Sequence, residues 1–259
     1  MCTIAILFGV AEFPLILAAN RDELYARVAR EPQVLASAPR VVGGLDVVSG
    51  GTWLAFRADG RFAAVTNQRA LEPLAPGLRS RGLVVRELAA AEDQDAHVAA
   101  LDPQHHANMN LVWGDADHVS IAYLRRTGSK EIVSLPHGVH VLCNDRLGAP
   151  GFPRAERFAI AVDRALAEAP GWPMLSRSLA SALGDHTRVP ADQVPPSHLP
   201  PAIARELTAT CIHSESYGTR SATLAAIDHG AVPAYLHADG PPCVTPFVDH
   251  TSLLEGADR

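Results

Sequence analysis

Apolar positions along this chain fall into short runs separated by turn-forming residues, and the first two runs set the pattern. Residues 3–9 are apolar and β-prone, residues 14–19 form a second apolar run, and Val10-Ala11-Glu12-Phe13 between them can turn. Two such runs around a brief break predict an antiparallel hairpin. With the turn centred near Ala11 and Glu12, paired residue numbers sum to about 23, because register follows the turn. That register sets Cys2 across from Arg21 and Asp22.

The pattern continues along the chain. Residues 25–39, with Pro32 and Pro39, read as a covering loop. Residues 52–57 and 61–66 flank Ala58-Asp59-Gly60, a strong hairpin signal, with Trp53 and Phe62 as its large core residues. Ser80 opens a predicted helix through residue 92, and a second short helix spans 94–101. Residues 111–113, 119–124, 131–135 and 139–143 read as successive short strands. Residues 153–169 predict a helix with Pro153 in its first turn and Phe158, Val162 and Leu166 on one face. Another helix covers 174–183, a proline-rich surface loop covers 185–201, and 205–211 is ambiguous. Residues 220–228 and 231–237 form a last hairpin. No repeat or linker interrupts this series, so residues 1–259 read as one domain. Strands, helices, strands and helices in that order predict an α+β architecture of two sheets with helices packed outside.

Composition narrows the function classes. An apolar content of 47% with 19% charged residues fits a globular chain. A net charge of −6 with no Lys/Arg run argues against nucleic acid or an acidic membrane as partner. Cys2, Cys143, Cys211 and Cys243 are far apart and include no CxxC pair, the usage of a reducing compartment. The apolar start imitates a signal peptide, but no Lys or Arg precedes Arg21, and Glu12 and Pro14 interrupt it. No other run approaches the ~18 apolar residues of a membrane helix. The expectation is a cytoplasmic protein without a membrane span.

The hairpin corner carries the candidate chemistry. Met1 precedes a small residue, so its removal is expected, leaving Cys2 with a free α-amine. An α-amine titrates at about 7.7–8.0 and a thiol at about 8.5, so one can deprotonate the other at neutral pH. A nearby cation such as Arg21 favours the thiolate. A nucleophile whose base is its own N-terminal amine is a known solution for acyl transfer, and Asp22 is positioned to hold the protonated amine. The plain alternative is a small buried hydrophobe opening a core strand. Asn67 and Asn144 end predicted strands and Arg220 begins one, so all three can share a rim with Cys2 and Asp22. Two asparagine amides there suit an oxyanion; asparagines at strand ends are also ordinary turn formers.

Met1-Cys2-Thr3, Ala19-Asn20-Arg21-Asp22-Glu23 and Gly50-Gly51-Thr52-Trp53-Leu54 resemble the NRDE family, the transport and Golgi organisation protein 2 type. So do Ala63-Ala64-Val65-Thr66-Asn67, Ser80-Arg81-Gly82 and Tyr217-Gly218-Thr219-Arg220-Ser221. More distantly, the layout is similar to the cysteine N-terminal nucleophile hydrolases of the bile salt hydrolase and penicillin V acylase type. The resemblance implies a four-layer αββα sandwich of two mainly antiparallel sheets. It implies Cys2 as nucleophile, Asp22 as partner of the amine, Asn67 and Asn144 as the oxyanion site, and Arg220 as an orienting residue. Asn20 and Arg21 fall in substrate-binding or supporting positions. The order Asn20-Arg21-Asp22 departs from the hydrolase pattern, which has its arginine where this chain has Ala19.

The function this implies is cleavage of a small amide or thioester through a Cys2 acyl-enzyme, a cysteine amidohydrolase or acyl transferase needing no cofactor. The alternative is a non-catalytic carrier on the same scaffold, holding a hydrophobic ligand such as haem or an acyl lipid. No metal is expected: His105-His106, His137 with His140, and Cys211 with His213 match no familiar zinc spacing. Asp185, His186 and Ser197 lie in a proline-rich loop without a nucleophile signature. The glycines at 43, 44, 50 and 51 read as turn formers.

Overall fold

A computed structural model of the chain describes residues 2–69 and 76–255. The opening hairpin pairs β1 (Cys2–Phe8) with β2 (Leu15–Leu24), and every pair from Cys2↔Arg21 to Phe8↔Leu15 sums to 23. The other strands are β3 (Ala29–Ser37), β4 (Arg40–Asp46), β5 (Leu54–Arg57), β6 (Phe62–Asn67), β7 (Met109–Gly114), β8 (Val119–Leu124) and β9 (Lys130–Ser134). They are completed by β10 (Gly138–Leu142), β11 (Tyr217–Asp228), β12 (Ala231–Ala238) and β13 (Val248–Asp249). One antiparallel sheet runs β10-β1-β2-β11-β12-β13 and the other β3-β4-β5-β6-β7-β8-β9.

Strand alternation sorts the residues of both sheets into layers. Ile4, Ile6, Phe8, Leu15 and Leu17 meet Val42, Phe56, Phe62 and Ile121 in a core between the sheets. The intervening Ala5, Leu7, Ile16 and Ala18 face α3 (Pro153–Glu168) and α4 (Trp172–Leu183). On the far side, Val41, Ala55, Ala63 and Trp113 pack against α1 (Arg81–Ala90) and α2 (Gln94–Ala100). The result is an αββα sandwich, with a short α5 (Pro201–Glu206) ahead of β11.

Two expectations for residues 25–51 are overturned. Residues 29–37 are a strand, not a loop; β3 lies at a sheet edge, where Pro32 removes no ladder bond that the sheet needs. Gly43 and Gly44 lie within β4 and form no turn. A Cβ on Gly44 would run into the Trp53 ring, and one on Gly51 would run into Gly82. These glycines permit close approach, pressing Trp53 inward and bringing the N-terminus of α1 against the segment before β5.

Candidate active site

A cavity of about 310 Å³ opens where the start of β1 and the end of β2 meet the ends of β4 and β6 and the N-terminus of α1. Cys2, Arg21, Asn67, Trp53 and Arg81 are among its lining residues. Cys2 is half-buried. Since Ile4 and Leu17 point between the sheets, Cys2 and its partner Arg21 do the same. The arginine therefore shares the face of the thiol, and its guanidinium lies 4.3 Å from the centroid of the Trp53 ring. Burial pushes the Cys2 thiol above its ordinary value, and the charge of Arg21 pulls it back.

The neighbours of Arg21 on β2 face the helix layer. The Asp22 carboxylate has no exposed surface. It accepts hydrogen bonds from Arg154 Nη1 at 3.2 Å and from Thr219 Oγ1 at 2.8 Å, while Tyr217 Oη donates to the Asp22 carbonyl at 3.0 Å. Burial pushes its carboxyl upward, against Arg154. Asn20 is buried too, and its amide donates to the carbonyls of Leu183 and Thr210, both at 2.9 Å.

Asn67 ends β6 on the cavity wall, and its side-chain amide makes no hydrogen bond to another described residue. Asn144 is 1% exposed and sits behind that wall. Its Nδ2 donates to the Asn67 carbonyl at 2.7 Å, and its Oδ1 accepts from Arg154 Nη2. Arg220 occupies a bulge in β11 between Thr219 and Ser221, with its guanidinium 5.9 Å from the Tyr25 ring. It is not among the residues that line the cavity. Cys2, Arg21 and Asn67 thus converge on one space; Asp22 borders it too, but its carboxylate is wired to Asn144 through Arg154 behind the wall, and Asn20 and Arg220 stand apart.

Arg154 was missed by the sequence reading, although one local sign pointed to it. A cation in the first turn opposes the helix dipole and calls for a specific anionic partner. Arg81, in the first turn of α1, has the same peculiarity and faces the cavity. Of the cavity's charged residues, Arg27 pairs with Asp46 and Glu23, Arg79 with Glu87, and Asp22 with Arg154. Arg21 and Arg81 form no ion pair with any described residue, and burial pulls both guanidiniums below their usual value. A second cavity of about 630 Å³, lined by Phe152, Arg154, Pro195, Leu199 and Leu207 among others, lies on the helix side.

The family described as Transport and Golgi organisation 2 matches residues 1–235. The Transport and Golgi organization protein 2 homolog of Bos taurus is 31% identical over 232 residues, covering 83% of each chain. The Homo sapiens homolog is 28% identical over 233 residues, again covering 83% of each. Among solved structures, a variant of the conjugated bile acid hydrolase from Clostridium perfringens matches with a TM-score of 0.57 at 12% identity, covering 98% of this chain and 94% of that one. The Caenorhabditis elegans ortholog of N-acylethanolamine-hydrolyzing acid amidase matches with a TM-score of 0.51 at 10% identity, covering 87% and 92%. The fold is that of the N-terminal nucleophile hydrolases. The chain belongs to the Transport and Golgi organisation 2 family.

Proposed function

We propose that this family member is an N-terminal cysteine hydrolase or acyl transferase that cleaves a small amide or thioester through a Cys2 acyl-enzyme. The observation that carries this reading is the meeting on one cavity of Cys2, Arg21 and the Asn67 amide, which makes no hydrogen bond to another described residue. Removal of Met1 frees the Cys2 α-amine, which takes the thiol proton as Sγ attacks the carbonyl carbon. The oxygen gains negative charge within reach of the Asn67 amide, the kind of donor that stabilises such an oxyanion. Asn144 acts by fixing the Asn67 backbone. Collapse of the tetrahedral adduct returns the proton to the departing amine or thiol and leaves a thioester on Cys2. Water then adds with the α-amine as base, and the acid departs. Asp22, held by Arg154 and Thr219, anchors the α-ammonium. Two desolvated guanidiniums that form no ion pair with any described residue favour a substrate bearing an anionic group.

The test is a panel of anionic and neutral acyl amides and thioesters, assayed with wild type and Cys2→Ser, together with the intact mass of the purified chain. Expected are loss of the Met1 mass, turnover that prefers the anionic members, and no turnover by Cys2→Ser. A retained methionine with no turnover above background would overturn this reading.

The carrier reading has one observation in its favour, the larger apolar-lined cavity on the helix side of Arg154. Saturable binding of haem or an acyl chain, abolished by Leu207→Glu and indifferent to Cys2→Ser, would support it.

A further inference from the structure

Away from the cavity, three segments distant in sequence bring two thiols and two imidazoles together. His186 lies in the loop after α4, Cys211 and His213 precede β11, and Cys243 follows β12. One ligand atom from each of the four falls within 4.8 Å of all the others. Cys211 Sγ lies 3.8 Å from Cys243 Sγ and 3.5 Å from His213 Nε2, and Cys243 Sγ lies 3.4 Å from His213 Nε2. The rings of His186 and His213 are 4.7 Å apart. Tetrahedral zinc with Zn–S near 2.3 Å and Zn–N near 2.0–2.1 Å requires S···S edges of about 3.8 Å and S···N edges of about 3.5 Å. The three edges among Cys211, Cys243 and His213 match one face of that polyhedron, and a His186 ring nitrogen lies within 4.8 Å of all three as the fourth corner.

The sequence reading dismissed Cys211 and His213 because their spacing fits no familiar zinc arrangement. The gaps from His186 to Cys211 and from His213 to Cys243 are long, and only the fold closes them. The backbone is arranged for this closure. Cys211 N–H donates to the Asp185 carbonyl at 2.9 Å, holding His186 beside Cys211. Gly184 lets the Cys243 turn settle against it; a Cβ there would stand 3.3 Å from the Cys243 backbone.

We propose that His186, Cys211, His213 and Cys243 form a structural Cys₂His₂ zinc site. Four protein donors leave no open position for a substrate, as in closed structural sites. Metal binding deprotonates both thiols and fixes their rotamers. The site staples the exit of α4 and the exit of β12 to the segment entering β11. Asn20 grips that same segment and the end of α4 through Thr210 and Leu183, and Ile212 N–H donates to Thr219 Oγ1 at 2.9 Å. Thr219 in turn holds Asp22, so zinc steadies the wall behind the cavity without touching it.

The experiment measures metal in the protein expressed with zinc in the medium and purified under reducing conditions. Elemental analysis should find one zinc per chain in wild type and in Cys2→Ser, and less than a tenth of that in Cys211→Ser and Cys243→Ser. Because those variants can misfold, wild type stripped with a chelator is titrated with Co²⁺. One equivalent should produce thiolate-to-cobalt charge transfer and the intense visible bands of a tetrahedral S₂N₂ centre, displaced by one equivalent of Zn²⁺. Substoichiometric zinc, featureless octahedral cobalt spectra, or a Cys211–Cys243 disulfide in the reduced preparation would overturn the site. None of these readouts depends on turnover, so the site and the proposed hydrolase stand or fall separately.

Discussion

The two faces of β2 differ sharply across three consecutive residues. Arg21 lies on the face between the sheets, beside Cys2 and over Trp53, without an ion pair to any described residue. Asn20 and Asp22 lie on the helix face with their polar groups committed: Asn20 to Leu183 and Thr210, Asp22 to Arg154 and Thr219. Strand alternation thus divides one motif into a side that meets a ligand and a side that holds the fold together. Substitutions on the first side should change turnover, and those on the second should change stability.

The largest effect expected is from Cys2→Ser, which should lower turnover by roughly 10⁴-fold or more while the denaturation midpoint stays close to wild type. A normal rate would erase the functional face. Next is Arg154→Met, which leaves the Asp22 carboxylate buried without its cation and should cost about 3–5 kcal/mol in urea unfolding. A loss as small as that of a surface ion pair would show the helix face to be dispensable.

His237 probes the interior of the same inner face. It pairs with Thr223 across the β11–β12 ladder, and burial, with help from His250 and Arg21, drives its imidazole down to about 3. Between that value and the unfolded value near 6.5, only the unfolded chain takes up the proton. Stability should therefore fall by about 1.4 kcal/mol per pH unit as the pH drops through that window, and be fully present above it. His237→Gln should flatten that limb of a plot of urea midpoint against pH. The smallest effect is on the stability of Arg21→Met, expected below about 1 kcal/mol because only a cation–π contact is lost. Turnover of anionic substrates should nevertheless suffer. Comparable losses in Arg21→Met and Arg154→Met would collapse the distinction between the faces.

What the sequence made legible was local. The Cys2–Arg21 register followed from two apolar runs and a turn, and α1, α2, α3 and α4 from periodicity and caps. Arg154 escaped because its partners, Asp22 and Asn144, are chosen by helix-on-sheet packing that no short window contains. β3 escaped because an edge strand tolerates the proline and the charged residues that read as loop. The four candidate zinc ligands escaped because each looks ordinary alone, and their convergence exists only in three dimensions. Asn144 read as a residue ending a strand, and it does follow β10, but its buried amide serves the wall behind the cavity.

The strand order of the first sheet also bears on how the molecule is made. Both strands that enclose Cys2 and Arg21 are synthesised first, yet β2 is completed on its other edge by β11, with Leu17 opposite Ala225. Such a pairing closes a very long loop, and its entropy must be met before the contact returns anything. On the ribosome the opening hairpin therefore waits with its β2 edge bare until most of the polypeptide has emerged, and with its β1 edge bare until β10 follows.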